Sequence, residues 1–143
     1  MTDASLALRG AAFALLSGDA DLVALTGAQR IHDGAPRGAA FPHLVIGAIE
    51  SRPLLALAED GEEHRLDLAV FSRADSRDEA SRILSRAVSL LADRAGVAAA
   101  LATQASGHAL VATRLVERRI ERLPQARLWR ARARLRLVTE PLG

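Results

Sequence analysis

Apolar and polar residues alternate along this chain with two different periods, and the switches between them outline its elements. Residues 3–17 carry a helical pattern that puts Leu6, Phe13 and Leu16 on one face, with Gly18 as a stop. Asp19 is placed to cap a second, short helix over 21–25 that ends at Gly27. Residues 30–33 predict a short strand, and 34–42, with two glycines and two prolines, a loop. A strand follows over 43–52, with Leu44, Val45, Ile46 and Ile49 as its buried part. In the next strand, 64–73, Leu66, Leu68 and Val70 alternate with Arg65, Asp67 and Ala69. Glu59-Asp60-Gly61-Glu62 forms a turn, so the two strands predict a long hairpin. Leu54, Leu55 and Leu57 fall near its tip, where apolar side chains dock on a partner more often than they face water.

Ser76 and Glu79 have the spacing of a capping box, starting a helix that runs to about residue 94. Its stripe is Ala80, Leu84, Ala87, Val88 and Leu91; Gly96 is the expected end, and 97–101 adds a further turn. Residues 108–122 and 128–138 form a last hairpin around Pro124-Gln125. Its register follows from side-chain chemistry. If paired positions sum to an odd number, Leu110, Ala112, Val116 and Ile120 share a face with Trp129, Ala131, Ala133, Leu135 and Leu137. Glu117, Arg119 and Glu121 then share the other face with Arg130, Arg132, Arg134 and Arg136. The whole reads as α+β: a mostly antiparallel, mixed β-sheet with helices packed on one face, two β-hairpins, and a single domain over 1–143.

Composition sharpens the picture at one place. All nineteen basic residues are arginine, and their distribution is uneven. Residues 1–106 carry ten arginines against fourteen acids, a net of −4; residues 107–143 carry nine against three, a net of +6. A split of this kind suits head-to-tail packing of copies, and it is compatible with a basic surface meeting DNA. The four alternating arginines at 130–136 are its focus. Neighbours on that face stand about 7 Å apart and repel by about 0.6 kcal/mol in bulk water, more near a protein surface. Four in a row are cheap only in open solvent or beside something acidic: another strand, another subunit or nucleic acid. Glu117 and Glu121 alone leave an excess of positive charge.

Chemistry is harder to find. There is no cysteine, hence no disulfide, thiol nucleophile or cysteine-based metal centre. The four histidines lack metal-ligand spacing. His32 with Asp33, and His64 with Glu62 and Glu63, could support a metal only in principle, since strand ends and turns routinely carry such residues. The run Glu59, Asp60, Glu62, Glu63 is a solvated turn and not a calcium loop. A nucleophile elbow, P-loop and dinucleotide fingerprint are all missing. We therefore expect no enzyme and no cofactor. No apolar run reaches the roughly 20 residues of a bilayer span, and 10–16 is too short and too little basic for a secretory signal. A nucleic-acid-binding module is a weak alternative, because the arginines lack interleaved aromatics.

Three sets of segments carry a family resemblance. They are Arg30-Ile-His-Asp-Gly-Ala-Pro36 with Ala40-Phe-Pro-His-Leu-Val-Ile-Gly47; Glu59-Asp-Gly-Glu-Glu-His-Arg-Leu66 running into Val70-Phe-Ser-Arg73; and Leu128-Trp-Arg130 with Leu137-Val-Thr-Glu-Pro141. In order and over essentially the whole chain, they resemble the small tail-completion, or tail-terminator, proteins of long-tailed phages and bacterial gene transfer agents. The resemblance implies a structural particle protein: a homo-oligomeric ring, usually hexameric, that caps the head-proximal end of the tail tube. Such a ring stops tube polymerisation and joins the tail to the head connector. The implied partners are other copies of itself, the tail tube protein and the head connector or stopper protein, with DNA only in transit through the lumen and no membrane. The implied location is the cytoplasm during assembly, then the head–tail junction of the particle. A different head–tail connector or stopper component is the alternative. The family offers no residue motif to transfer, so the expected interface comes from this chain alone: Arg130, Arg132, Arg134 and Arg136 on one side, and Leu54, Leu55, Leu57, Glu59 and Asp60 on the other.

Overall fold

The computed structural model describes residues 3–54 and 60–142. Helices α1 (Ala4–Ser17) and α2 (Ala20–Thr26) lead into strands β1 (Ile31–Asp33), β2 (His43–Pro53) and β3 (Glu62–Ser72). Helices α3 (Asp78–Leu91) and α4 (Arg94–Ala102) follow, then strands β4 (His108–Leu123) and β5 (Leu128–Pro141). The five strands form one sheet in the order β1-β2-β3-β5-β4; only the β1–β2 pairing is parallel. The mixed, mostly antiparallel α+β architecture is the expected one. Both hairpins form, and β5 enters between β3 and β4.

The core lies between the helices and one face of this sheet. Leu66, Leu68 and Val70 of β3 and Ala131, Ala133, Leu135 and Leu137 of β5 point into it, as strand alternation requires. They meet Ile83, Leu84, Ala87 and Leu91 of α3, and Leu8, Ala11, Ala12 and Leu16 of α1. Asp19 caps α2 by accepting from the Leu22 backbone N–H at 2.9 Å.

Four local expectations change. On α1 the buried stripe is Ala4, Ala7, Leu8, Ala11, Ala12 and Leu16, whereas Leu6 and Phe13 are exposed. Small alanines let this helix approach the core closely, and the two bulky side chains turn outward. The capping box does not form: Ser72, buried at the end of β3, donates to the Glu79 carboxylate at 2.7 Å and leaves Arg77 as the N-cap. Gly96 lies inside α4, and α3 ends at Leu91. There Thr113 donates to the Leu91 carbonyl at 2.7 Å, taking the acceptor that a continuing helix would have used. Finally, the odd register of the last hairpin holds for 108–110 and 117–123 but not between them. Bulges after Leu110 and after Leu115 shift the pairing by one, so Thr113 and Leu115 turn toward the core and Val116 is pushed into solvent.

One polar group is embedded in this core face. His64 is fully buried between the Ser51 hydroxyl at 2.6 Å and the Thr139 hydroxyl at 2.8 Å. That position fixes it on the helix side of the sheet, away from His32 on β1, so the two histidines do not meet. Burial pushes the His64 imidazole from its ordinary 6.5 down to about 4, outweighing the nearby carboxylates of Asp3 and Glu63. Between those two values the unfolded chain binds a proton that the folded chain does not, so stability falls as pH drops through this window. The shift amounts to about 2.5 kcal/mol lost between pH 7.5 and pH 4.5. His64→Gln, which keeps two hydrogen-bonding ends without a titratable ring, is expected to flatten this dependence in urea titrations at the two pH values. Parallel losses in the two proteins would show that another group controls it.

Candidate functional site

The helices cover one face of the sheet, and the opposite face carries the charged side chains. Because β5 is central, each of its four arginines has a neighbour on both sides, and the registers fix which. Arg130 lies between Phe71 and Glu121, and Arg134 between Asp67 and Glu117. Arg132 lies between Ala69 and Arg119, and Arg136 between Arg65 and Arg114. A carboxylate stands directly beside the β5 arginine at Arg130 and Arg134, whereas Arg132 and Arg136 face arginine, the latter row ending in Glu50 of β2 opposite Arg65.

The carboxylates are drawn in accordingly. Arg134 forms a two-armed pair with Asp67, at 2.8 and 3.3 Å, which raises its already high pKa. Arg130 bonds Glu121 through two nitrogens, and Arg132 reaches the same carboxylate at 3.4 Å and Arg119 at 3.5 Å. Arg136 takes a diagonal partner, Glu63, at 2.9 Å, and Glu63 also accepts from Arg65 at 3.1 Å. Hydrogen bonds from Arg136 and Arg65 hold Glu63 below the usual carboxylate range, and the bond from Arg130 does the same for Glu121. Both carboxylates stay ionised at neutral pH.

These pairs answer part of the question that the arginine row posed: the acid beside it is first of all another strand. The sequence reading counted Glu117 and Glu121 on β4 and missed Glu63 and Asp67 on β3. The alternation of Asp67 with Leu66 and Leu68 held the signal, but only a β3–β5 pairing gives it meaning. An excess nevertheless survives. Over residues 63–67, 114–121 and 130–136, the open face sets seven arginines against four carboxylates.

Between these rows an open cleft of about 320 Å³ crosses the sheet. Its floor is low because Gly47 and Ala69 carry little or no side chain, and Asp67, Glu117, Arg119, Arg132 and Arg134 stand around it. The other expected interface residues are elsewhere. Leu54 is half-buried just past β2, and its backbone N–H donates to the Gly61 carbonyl at 2.8 Å. Asp60 is exposed at the turn, in the left-handed region at φ 64°. Leu55, Leu57 and Glu59 lie outside the described residues. The two expected patches are thus separate: the arginines lie across the middle of the sheet, and the hairpin end lies beyond its edge.

No group of ligating side chains suited to a metal ion occurs among the described residues. What the face offers is charge-assisted hydrogen bonding to an extended or irregular protein segment, with arginine donors and carboxylate acceptors in alternating rows. Within the fold, Arg134→Glu sets a carboxylate against Asp67 and Glu117 and is expected to lower the Tm of the isolated chain, with the loss reduced at high salt. An unchanged Tm would mean that the Arg134–Asp67 pair contributes nothing to the fold.

The full-length geometry has a counterpart among solved structures. A chain of the virion of a native gene transfer agent (GTA) particle superposes with a TM-score of 0.79 at 19% sequence identity, covering 98% of this chain and 99% of that one. At that identity the likeness is one of fold. No curated protein matches by sequence. No helix among the described residues is long and apolar enough to cross a membrane. The family model for "Tail completion protein gp17" matches residues 10–140, from the second turn of α1 to the end of β5, and the chain therefore belongs to the tail completion protein family.

Proposed function

We propose that this chain is the repeating unit of a ring, six-fold as is usual in the resembled family, that closes the head-proximal end of a phage or gene-transfer-agent tail tube. Its role is structural and not catalytic. It assembles in the cytoplasm, halts tube polymerisation, and presents a surface to the head connector. Its partners are sister copies, the tail tube protein and the connector, and DNA only passes through.

The observation that carries this reading is the asymmetry of the sheet. One face is sealed by helices; the other sets seven arginines against four carboxylates along β3, β4 and β5, a net positive surface that its internal ion pairs only partly offset. Such a face is suited to completion by another protein surface, which a closed ring supplies at every subunit. Nucleic acid is a poorer fit. Most arginines on this face are already bonded to carboxylates, and Asp67 and Glu117 beside the cleft would repel phosphate.

Disruption of the gene tests the role directly. We expect tail tubes of irregular, mostly excessive length that are not joined to heads, with both defects repaired by the intact gene. Tubes of normal length joined to heads would overturn the proposal. A labelled copy located elsewhere than the head-proximal end of the tube would assign the chain to another tail component.

A further inference from the structure

We infer that the flank between α3 and the edge strand β4 is a docking site for an extended acidic segment of a neighbouring protein, held by Arg77, Arg118 and Arg122 around Trp129. The inference rests on the reading of this chain as a building block contacted by other proteins. It concerns the helix side of the sheet and not the open face.

Trp129, near the start of β5, anchors the site. The sheet register sets Arg122 of β4 directly opposite it, and Arg77, the N-cap residue of α3, approaches from the helix layer. The guanidinium carbons of Arg77 and Arg122 lie 5.4 and 5.5 Å from the indole centroid, so one ring holds both cations. Arg118, on the same side of β4, donates to the neutral Ser85 hydroxyl of α3 at 3.0 Å. None of these three arginines belongs to an ion pair among the described residues. The indole Nε1–H is buried and has no acceptor. The carboxylates nearest in the chain are engaged elsewhere or stand apart. Glu79 accepts from Ser72, Glu121 pairs with Arg130 on the opposite face, and Asp75 and Asp78 enter no ion pair with Arg77 or Arg122. Donors from α3, β4 and β5 thus converge where the single chain supplies no anionic acceptor.

Charge and spacing define the occupant. Arg118 and Arg122 leave one side of an extended strand four residues apart, about 13 Å. A single small anion cannot bridge that span, whereas an extended segment bearing several carboxylates can. Guanidinium–carboxylate bonds to Arg77, Arg118 and Arg122 are charge-assisted, and the indole N–H gains an acceptor in a carboxylate or backbone carbonyl. Such a segment also relieves the repulsion between the two guanidiniums that share the indole. Nucleic acid fits less well. The indole already carries two guanidiniums, which compete with a base for its faces, and Asp75 and Asp78 repel phosphate.

Trp129 is the only tryptophan and the chain has no tyrosine, so its fluorescence reports on this site alone. Titrating the full chain with hexaglutamate at neutral pH and low salt is expected to change the emission saturably, with salt reversing the change. Arg77→Gln with Arg122→Gln is expected to weaken binding about tenfold or more, whereas Arg114→Gln, on the opposite face of the sheet, leaves it within about twofold. No change in emission, or equal binding by the double variant, overturns the site. If the double variant shows no folding transition, Arg118→Gln takes its place, since it leaves both guanidiniums on the indole; binding weakened about threefold or more is expected, and unaltered binding overturns the site. Hexathymidylate is expected to bind more weakly than hexaglutamate, and tighter binding would overturn the protein segment and assign the flank to nucleic acid. Finally, the variant that folds is put in place of the intact gene, and the fraction of heads joined to tails is expected to fall. Normal joining overturns the docking role while leaving the ring reading intact; that reading fails only on the gene-disruption result.

Discussion

The structure depends on the insertion of β5 between β3 and β4. A strand with arginine at every second position can occupy the centre of a sheet only if its apolar face is fully buried and its charged face finds acid on both sides. Ala131, Ala133, Leu135 and Leu137 satisfy the first condition against α1 and α3. Asp67 and Glu63 from one neighbour, and Glu121 from the other, satisfy the second. The helices collect on one side because only that side of β3 and β5 is apolar. The opposite side remains open because it is too polar to bury against a helix.

The same arrangement divides stability from assembly. Rows that hold Asp67 and Glu121 tie three strands together and serve the fold. The rows at Arg132 and Arg136 set like charges opposite each other and depend on Glu121 and Glu63 from neighbouring rows to offset the repulsion. Proteins keep local conflicts of this kind where function requires them.

Much of the fold was legible from periodicity alone, because α3, β3 and β5 each bury one clean stripe. The two hairpins were legible because their turns carry glycine, proline and acidic residues between strands that are adjacent in sequence. The β3–β5 pairing was not, since it joins strands separated by two helices and a third strand and leaves no local signal. That single omission explains why Glu63 and Asp67 were missed as partners of the arginine row. Smaller errors have the same origin. Ser76-Glu79 looked like a capping box until Ser72, seven residues before Glu79, captured the carboxylate. Leu6 and Phe13 looked like core until four alanines on another side of α1 proved to pack more closely. In each case a tertiary contact outweighed a sound local preference.

The position of β5 also bears on how the chain is made. Protein synthesis is vectorial, and β5 is the final element in chain order while standing fourth among five strands in space. Until it leaves the ribosome, β3 and β4 have no shared neighbour, and Asp67 lacks the Arg134 guanidinium that it binds in the finished sheet. The arginine face cannot exist before that moment. The charged surface is therefore complete only when translation has delivered the strand that completes the sheet.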